Sequence, residues 1–291
     1  MKLLSEPLWQ GALIMSVASL LATMQNALVK LIGHQVSTVE VIFIQYAVCL
    51  VFLLPMIIKT AGKVLITKSP VMSSIRTAVG VFYFLSMFYA LKFLPIFDVA
   101  LLSCTAPLWA TLVSWLFFKT KVKLATIGGI ILGFLGVACI LHPDQHIFSW
   151  ASLIALSAGL FGGINVIFIG RISKTTTQDS ILSFYFLGTT LILAPAALFH
   201  WQWPSWTVLA LLIGNGAILY LRQILLYIGL KKAPHQGNKL AVIVYLNVIF
   251  SALAGWVFWK ESLTSYDLIG AVLTIAGGYI TLSFQQKKTG T

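Results

Sequence analysis

The sequence predicts an all-α membrane protein of ten transmembrane helices arranged as two inverted five-helix repeats. Three observations carry this. Apolar segments of membrane length follow one another along almost the whole chain. The second half repeats the first, residue by residue in places. Basic residues concentrate in alternate connections.

The ten apolar segments run approximately 8–31, 38–58, 71–93, 96–118, 124–141, 149–170, 179–199, 206–230, 237–259 and 265–284. Each is long enough to cross a hydrocarbon core about 30 Å thick. With 59% hydrophobic and only 9% charged residues, the chain lacks the charge a water-soluble surface of this size requires. The first segment is too long for the apolar region of a signal peptide and precedes no small-residue cleavage site, so it reads as a retained helix. The fourth carries a mid-span proline, Pro107, and the fifth is rich in glycine. Trp150, Trp201, Trp203, Trp206 and Trp259 fall at or near segment ends, as an interfacial aromatic belt requires. The connections are too short for a soluble domain, so the chain reads as one integrated membrane domain. Cys49, Cys104 and Cys139 all fall inside segments, as small apolar residues.

A net charge of +12 would point to nucleic acid in a soluble protein, but here its distribution points elsewhere. With the N-terminus in the cytoplasm, that side receives Lys2, Lys59, Lys63, Lys68, Arg76, Lys119, Lys121, Lys123, Arg171, Lys174, Lys231, Lys232, Lys239, Lys287 and Lys288. The outer loops receive Lys92 and Lys260, while Lys30 and Arg222 lie within segments. Basic residues in short loops set orientation during insertion. Both termini are therefore expected in the cytoplasm, in a bacterial inner membrane. The lipid bilayer is the expected partner of the charge, and no nucleic acid is expected.

The repeat aligns 115–141 with 256–282 without a gap. Trp115 pairs with Trp256, Phe117 with Phe258, Lys119 with Lys260, Gly129 with Gly270 and Gly136 with Gly277. Upstream, Leu91, Lys92 and Pro95 match Leu230, Lys231 and Pro234, and Asn26 matches Asn165. The halves divide as residues 1–145 and 146–291. An odd number of spans per half gives the second half the opposite orientation, and inverted repeats are the usual plan of carriers that work by alternating access. Gly129 and Gly133 form a GxxxG pattern on the fifth segment, suited to a homodimer contact or to packing within a half.

These features resemble the drug/metabolite transporter superfamily in its ten-helix EamA-type branch. The resemblance rests on the segment end Ala90–Pro95, the proline segment Ser103–Trp115, the polar joint and the glycine-rich fifth segment. It rests equally on their recurrence from Ile228 to Gly278. It implies a secondary transporter in which helices one to four and six to nine line a cavity, with five and ten peripheral. In such proteins a glutamate closes helices four and nine. Glu261 fits and Thr120 departs. Leu246 or a neighbour stands opposite Pro107, so no second proline kink is expected. Val39-Glu40-Val41 and Ser74-Ile75-Arg76 are similar to the S-adenosylmethionine carriers of intracellular bacteria, although Gln45 stands where that branch often has arginine.

Polar side chains within spans are the candidate binding residues, because lipid cannot satisfy them. On the first helix Ser16, Ser19, Thr23, Asn26 and Lys30 form one stripe. It reads either as a helix contact through small hydroxyls or as a cavity face, with Asn26 and its equivalent Asn165 the members nearest a site. Arg222, flanked by Gln223, is a cation deep in the eighth segment. It either snorkels or offers its fork to a carboxylate or phosphate, opposed by Asn26 and Gln45. Tyr46, Tyr83, Tyr89, Tyr245 and Asn247 complete the candidates. Tyr245 and Asn247 lie about 200° apart on a helix, so one of the two faces a site. The seven carboxylates all fall at span ends or in loops, which gives little support to proton or sodium coupling through a midplane acid. Asp98 is the one acid near a cavity mouth.

The five histidines show no metal-ligand spacing, and neither a phosphate loop nor a catalytic carboxylate pair appears. No metal, cofactor or catalytic residue is expected. The leading reading is a transporter of a small polar or amphipathic metabolite, amino-acid-like or S-adenosylmethionine-like. A membrane-embedded enzyme or a non-transporting membrane subunit are the alternatives.

Overall fold

The structure, a computed structural model, describes residues 7–33, 35–120, 122–140, 150–199, 201–232 and 242–284. The five histidines, Lys2, Glu6, Lys121, Asp144, Pro234, Lys239, Lys287, Lys288 and the 142–149 connection lie outside the described residues.

All ten spans are helical. They comprise α1 (Pro7–Ile32), α2 (Thr38–Lys59), α3 (Pro70–Ala90), α4 (Ile96–Ser103), α5 (Ala106–Phe118), α6 (Leu124–Ile140), α7 (Trp150–Ile172), α8 (Gln178–Phe199), α9 (Trp206–Lys232), α10 (Leu246–Trp259) and α11 (Ser265–Phe284). The fourth span is α4 and α5 in succession. Among the described residues, eight spans are long and apolar enough to cross a membrane, and α6 and α10 are shorter apolar helices. Helices suit this composition because a spanning segment must satisfy its own backbone in lipid.

The fourth span breaks at Cys104 and Thr105, just before Pro107 in the first turn of α5. Proline removes one amide and crowds the carbonyl four residues back. The Thr105 hydroxyl donates to the Leu102 carbonyl at 2.6 Å, which satisfies one group at the break. The ninth span, with no proline opposite Pro107, is described from Val242 onward. Its described part opens as a 3-10 turn, Val242–Tyr245, and becomes α-helical at Leu246, opposite the start of α5. Each of these spans ends on a lysine in left-handed backbone, Lys119 (φ 48°) and Lys260 (φ 54°). The Lys119 amide donates to Ser114 and the Lys260 amide to Gly255, so one end motif occurs at equivalent positions.

Helix pairing reproduces the repeat. The first span packs on the eighth and the third on the sixth. The first packs on the ninth and the sixth on the fourth; the second packs on the eighth and the third on the seventh. The second also pairs with the seventh, the fourth with the ninth and the fifth with the tenth. Exchanging each span with its counterpart leaves this set unchanged, which is a pseudo-two-fold axis. The equivalent helices α6 and α11 run antiparallel. A Cβ on Gly129 would fall 2.8 Å from Thr281 Oγ1, one on Gly136 2.5 Å from Thr274 Oγ1, and one on Gly270 2.5 Å from Ile140 Cγ1. The halves are therefore inverted. The GxxxG face of α6 is filled within the chain: Gly129 faces α11 of the other half, and Gly133 meets Leu108 of α5 in its own half, which is the packing within a half that the pattern suited.

The largest apolar core joins spans one to three, seven and eight, with parts of four to six. A smaller one joins spans four, five and nine around Phe97, Leu101, Ile140, Tyr245 and Val248, with Ala271 and Ile275 of the tenth packed against it. Large apolar side chains such as Leu13, Val51, Phe82, Leu191 and Val272 point outward, as a surface solvated by lipid allows. Spans five and ten make their main contacts with each other and with spans four and nine, leaving one to three and six to eight around the centre.

Candidate functional site

The centre of the bundle holds a buried polar cluster built from both halves. Arg222 sits about 15 Å along the α9 axis from Lys232, at 1.5 Å per residue. Its guanidinium does not snorkel along the helix: it donates to Gln25 Oε1 at 3.2 Å. The Gln25 amide in turn donates to Gln45 Oε1 at 3.2 Å, and Asn215 Nδ2 donates to the same oxygen at 2.9 Å. Gln25, Gln45 and Asn215 are fully enclosed. Gln45 Nε2 and Asn215 Oδ1 are left buried without a partner, one donor and one acceptor available to a bound molecule.

A tyrosine pair stands beside this chain. The Tyr46 hydroxyl donates to the Tyr185 hydroxyl at 2.8 Å; both rings are buried, and the Tyr46 ring makes edge contacts with Phe84 and Phe186. Gly80 makes room for them, since a Cβ there would lie 2.5 Å from the Tyr185 hydroxyl. Arg76, which the sequence places at the start of the third span on the basic side, is turned into the protein. It lies inside α3, 4% exposed, with its guanidinium 4.0 Å from the Tyr185 ring centroid. It donates to the Ile181 carbonyl at 3.4 Å, while its Nε is buried and unpartnered. Tyr185 lies in the electrostatic field of both Arg76 and Arg222, and Tyr83 in that of Arg222.

The register that pairs Asn26 with Asn165 also pairs Tyr46 with Tyr185, Arg76 with Asn215 and Tyr83 with Arg222. The site is therefore three repeat-equivalent pairs gathered at the axis, two of which have diverged to place one guanidinium in each half. Cys49 against the Gly216 carbonyl (3.4 Å) and Gly188 against Thr77 are another equivalent pair of contacts close by.

Other expected residues scatter. Asn26 is buried beside Gln25. Asn165 is half-buried, with Oδ1 enclosed and unpartnered. Gln223 is half-buried, about 100° around α9 from Arg222. Tyr89 is 43% exposed and packs on Phe93, away from the cluster. Tyr245 belongs to the smaller apolar core. Asn247 accepts from Thr23 at 2.8 Å and so fastens α10 to α1, as Ser19 does through the Ile243 carbonyl. The lower stripe of the first helix is thus a helix contact. Gln25, Asn215 and Tyr185 were missed. Enclosed amides in lipid-length segments were the available signal for the first two.

The two ends of the bundle are closed differently. At the end away from the basic loops, Lys30 pairs with Glu261 and donates to the Leu94 carbonyl at 2.9 Å. Its Nζ also lies 5.5 Å from the Trp259 ring centroid. Glu261 further accepts from the Ile96 amide at 3.1 Å, and Asp98 lies in the field of Asp267, Glu261 and Lys30. At the basic end Arg171 stacks 3.6 Å from the Phe118 ring centroid. Phe118 is equivalent to Trp259 and Thr120 to Glu261, so this end keeps the cation–aromatic contact and lacks the carboxylate. Among the described residues no three His, Cys, Asp or Glu side chains cluster as metal ligands.

Comparison with known proteins agrees with this architecture. The EamA-like transporter family matches residues 9–142 and again 149–283. The chain is 26% identical to a pseudopaline exporter of Pseudomonas aeruginosa over 278 residues, covering 93% of this chain and 92% of that one. It is 27% identical to a riboflavin transporter of Vibrio cholerae (96% and 95% covered). It is 24% identical to an S-adenosylmethionine uptake transporter of Rickettsia bellii (95% and 94%). A solved crystal structure shares the fold with a TM-score of 0.62 at 19% identity, over 96% of this chain and all of that one.

Proposed function

Since the chain belongs to the EamA-like transporter family and is a secondary transporter of a small metabolite, we propose that its substrate binds the central polar cluster through an anionic or zwitterionic group. The observation that carries this is Arg222, a cation deep in the bundle that donates to a neutral amide, Gln25, and lies beside the neutral Tyr83 hydroxyl. A guanidinium so placed offers paired donors to a carboxylate or phosphate. Gln45, linked through Gln25, and Tyr83 supply neutral polar groups beside it. An amino-acid-like or S-adenosylmethionine-like molecule fits this pattern. The named cargoes of the relatives, pseudopaline, riboflavin and S-adenosylmethionine, widen the panel to be tested.

The basic end faces the cytoplasm of a bacterial inner membrane in this reading, with both termini on that side. Residues 1–145 and 146–291 move against each other about the axis. The Lys30–Glu261 pair closes the outer end, and the Arg171–Phe118 stack closes the inner one. A homodimer would form through a face other than the glycines of α6. Uptake of a radiolabelled metabolite panel into proteoliposomes, with and without counter-substrate inside, tests the proposal. Accumulation of no anionic or zwitterionic compound would refute it.

A further inference from the structure

Resting on the reading of Arg222 above, we infer that the substrate carries two anionic groups, one met by Arg222 and the second by Arg76. The acids within reach of neither arginine are committed elsewhere. Glu40 accepts from the Ser37 and Gln202 amides, Glu261 holds Lys30 and Asp267 accepts from Thr264. Asp179 is exposed, and Asp98 stands with the Lys30 group at the far end. Among the described residues, two guanidinium groups therefore share the interior with no carboxylate beside them.

A monoanion would leave one of these charges uncompensated in a medium that penalises it. A dianion neutralises both. Arg76 is prepared for this role in three ways. Its plane is fixed against the Tyr185 ring, its Nε is enclosed and unpartnered, and it stands on the first half whereas Arg222 stands on the second. Tyr185, stacked on Arg76, bonds Tyr46, the chain neighbour of Gln45, which Gln25 links to Arg222, so the two arginines end one contiguous chain of contacts. A ligand spanning the axis would bind tightly only when the halves hold both cations at the right separation. That is the differential affinity an alternating mechanism requires.

The test uses the full-length protein in detergent and the straight-chain α,ω-dicarboxylates from malonate to adipate, each beside its monoamide, with thermal stabilisation as readout. At least one dicarboxylate should stabilise the protein at a concentration about ten-fold below its monoamide, about 1.4 kcal/mol. Arg76→Gln should abolish that preference, Arg76→Lys should keep part of it, and Arg222→Gln should weaken both ligands. Equal stabilisation by acid and monoamide, no stabilisation by any dicarboxylate, or an unchanged preference in Arg76→Gln would overturn the inference. A monoanionic substrate found in the uptake panel would also overturn it while leaving the transport reading intact. If Arg76→Gln does not fold, Arg76→Lys decides. Full retention of the preference by a cation without a fork would mean that Arg76 does not grip the second group.

Discussion

Tyr46 and Tyr185 occupy the same position in the two halves, and their hydroxyls meet at 2.8 Å. A direct bond between repeat-equivalent side chains is possible only at the pseudo-two-fold axis, so this pair marks the centre of the molecule. Such a bond contributes about 1 kcal/mol. Tyr46→Phe and Tyr185→Phe should each lower stability by about that much, and the double variant by little more than either. Thermal unfolding of the three variants checks this. Full additivity would show that the hydroxyls act separately.

Arg222→Gln should insert normally yet lose nearly all transport. Truncating one partner of a desolvated, charge-assisted contact costs about 2–5 kcal/mol, or about 30-fold or more in affinity. Arg222→Lys keeps the charge without the fork and should retain partial activity. The measurement is transport per correctly inserted molecule. Parental activity in Arg222→Gln would make the residue structural.

The closures at the two ends differ by one side chain, Glu261 against Thr120. Glu261→Gln leaves Lys30 half-buried without its counter-charge and should open the outer end. A cysteine at Asn26 would then label faster with an impermeant reagent from outside. Thr120→Glu should add a carboxylate beside Arg171 and slow labelling from the inner side. Unchanged rates in both variants would remove these contacts from the gating.

Gly136 and Gly277 let α6 and α11 approach until a Cβ on Gly136 would lie 2.6 Å from the Thr274 amide nitrogen. Gly136→Leu should therefore separate the fifth and tenth spans and lower folded yield sharply. At Gly128, where a Cβ would meet nothing within 4 Å, alanine should be tolerated and add up to about 1 kcal/mol of helix propensity. Fluorescence size-exclusion profiles compare the two. Equal profiles would show that the close approach is not required.

Orientation is testable on a background lacking Cys49, Cys104 and Cys139. Gln202→Cys should label in intact cells with an impermeant reagent, and Lys123→Cys and Lys174→Cys only after permeabilisation. The reverse pattern would invert the topology.

The amino-acid sequence alone makes the spans, their duplication and the inversion of the halves legible. Lipid leaves a spanning backbone little choice but a helix, so apolar length is read directly as structure. An odd number of spans per repeat turns duplication into inversion. It also marked Arg222 and Gln45, because polar groups are rare at that depth. What those groups face depends on how the helices pack. Gln25 lies one residue from Asn26, about 100° around α1, and which of the two meets Arg222 depends on how α9 packs against that helix. Arg76 looked like one more basic residue at a span end, yet α8 packs over it and supplies the Tyr185 ring. Asn247 looked like a ligand contact, yet it meets Thr23 across the first and ninth spans. A helix fixes the angle between its own side chains; which neighbour each one meets is set by packing across hundreds of residues of chain, and that packing made the site.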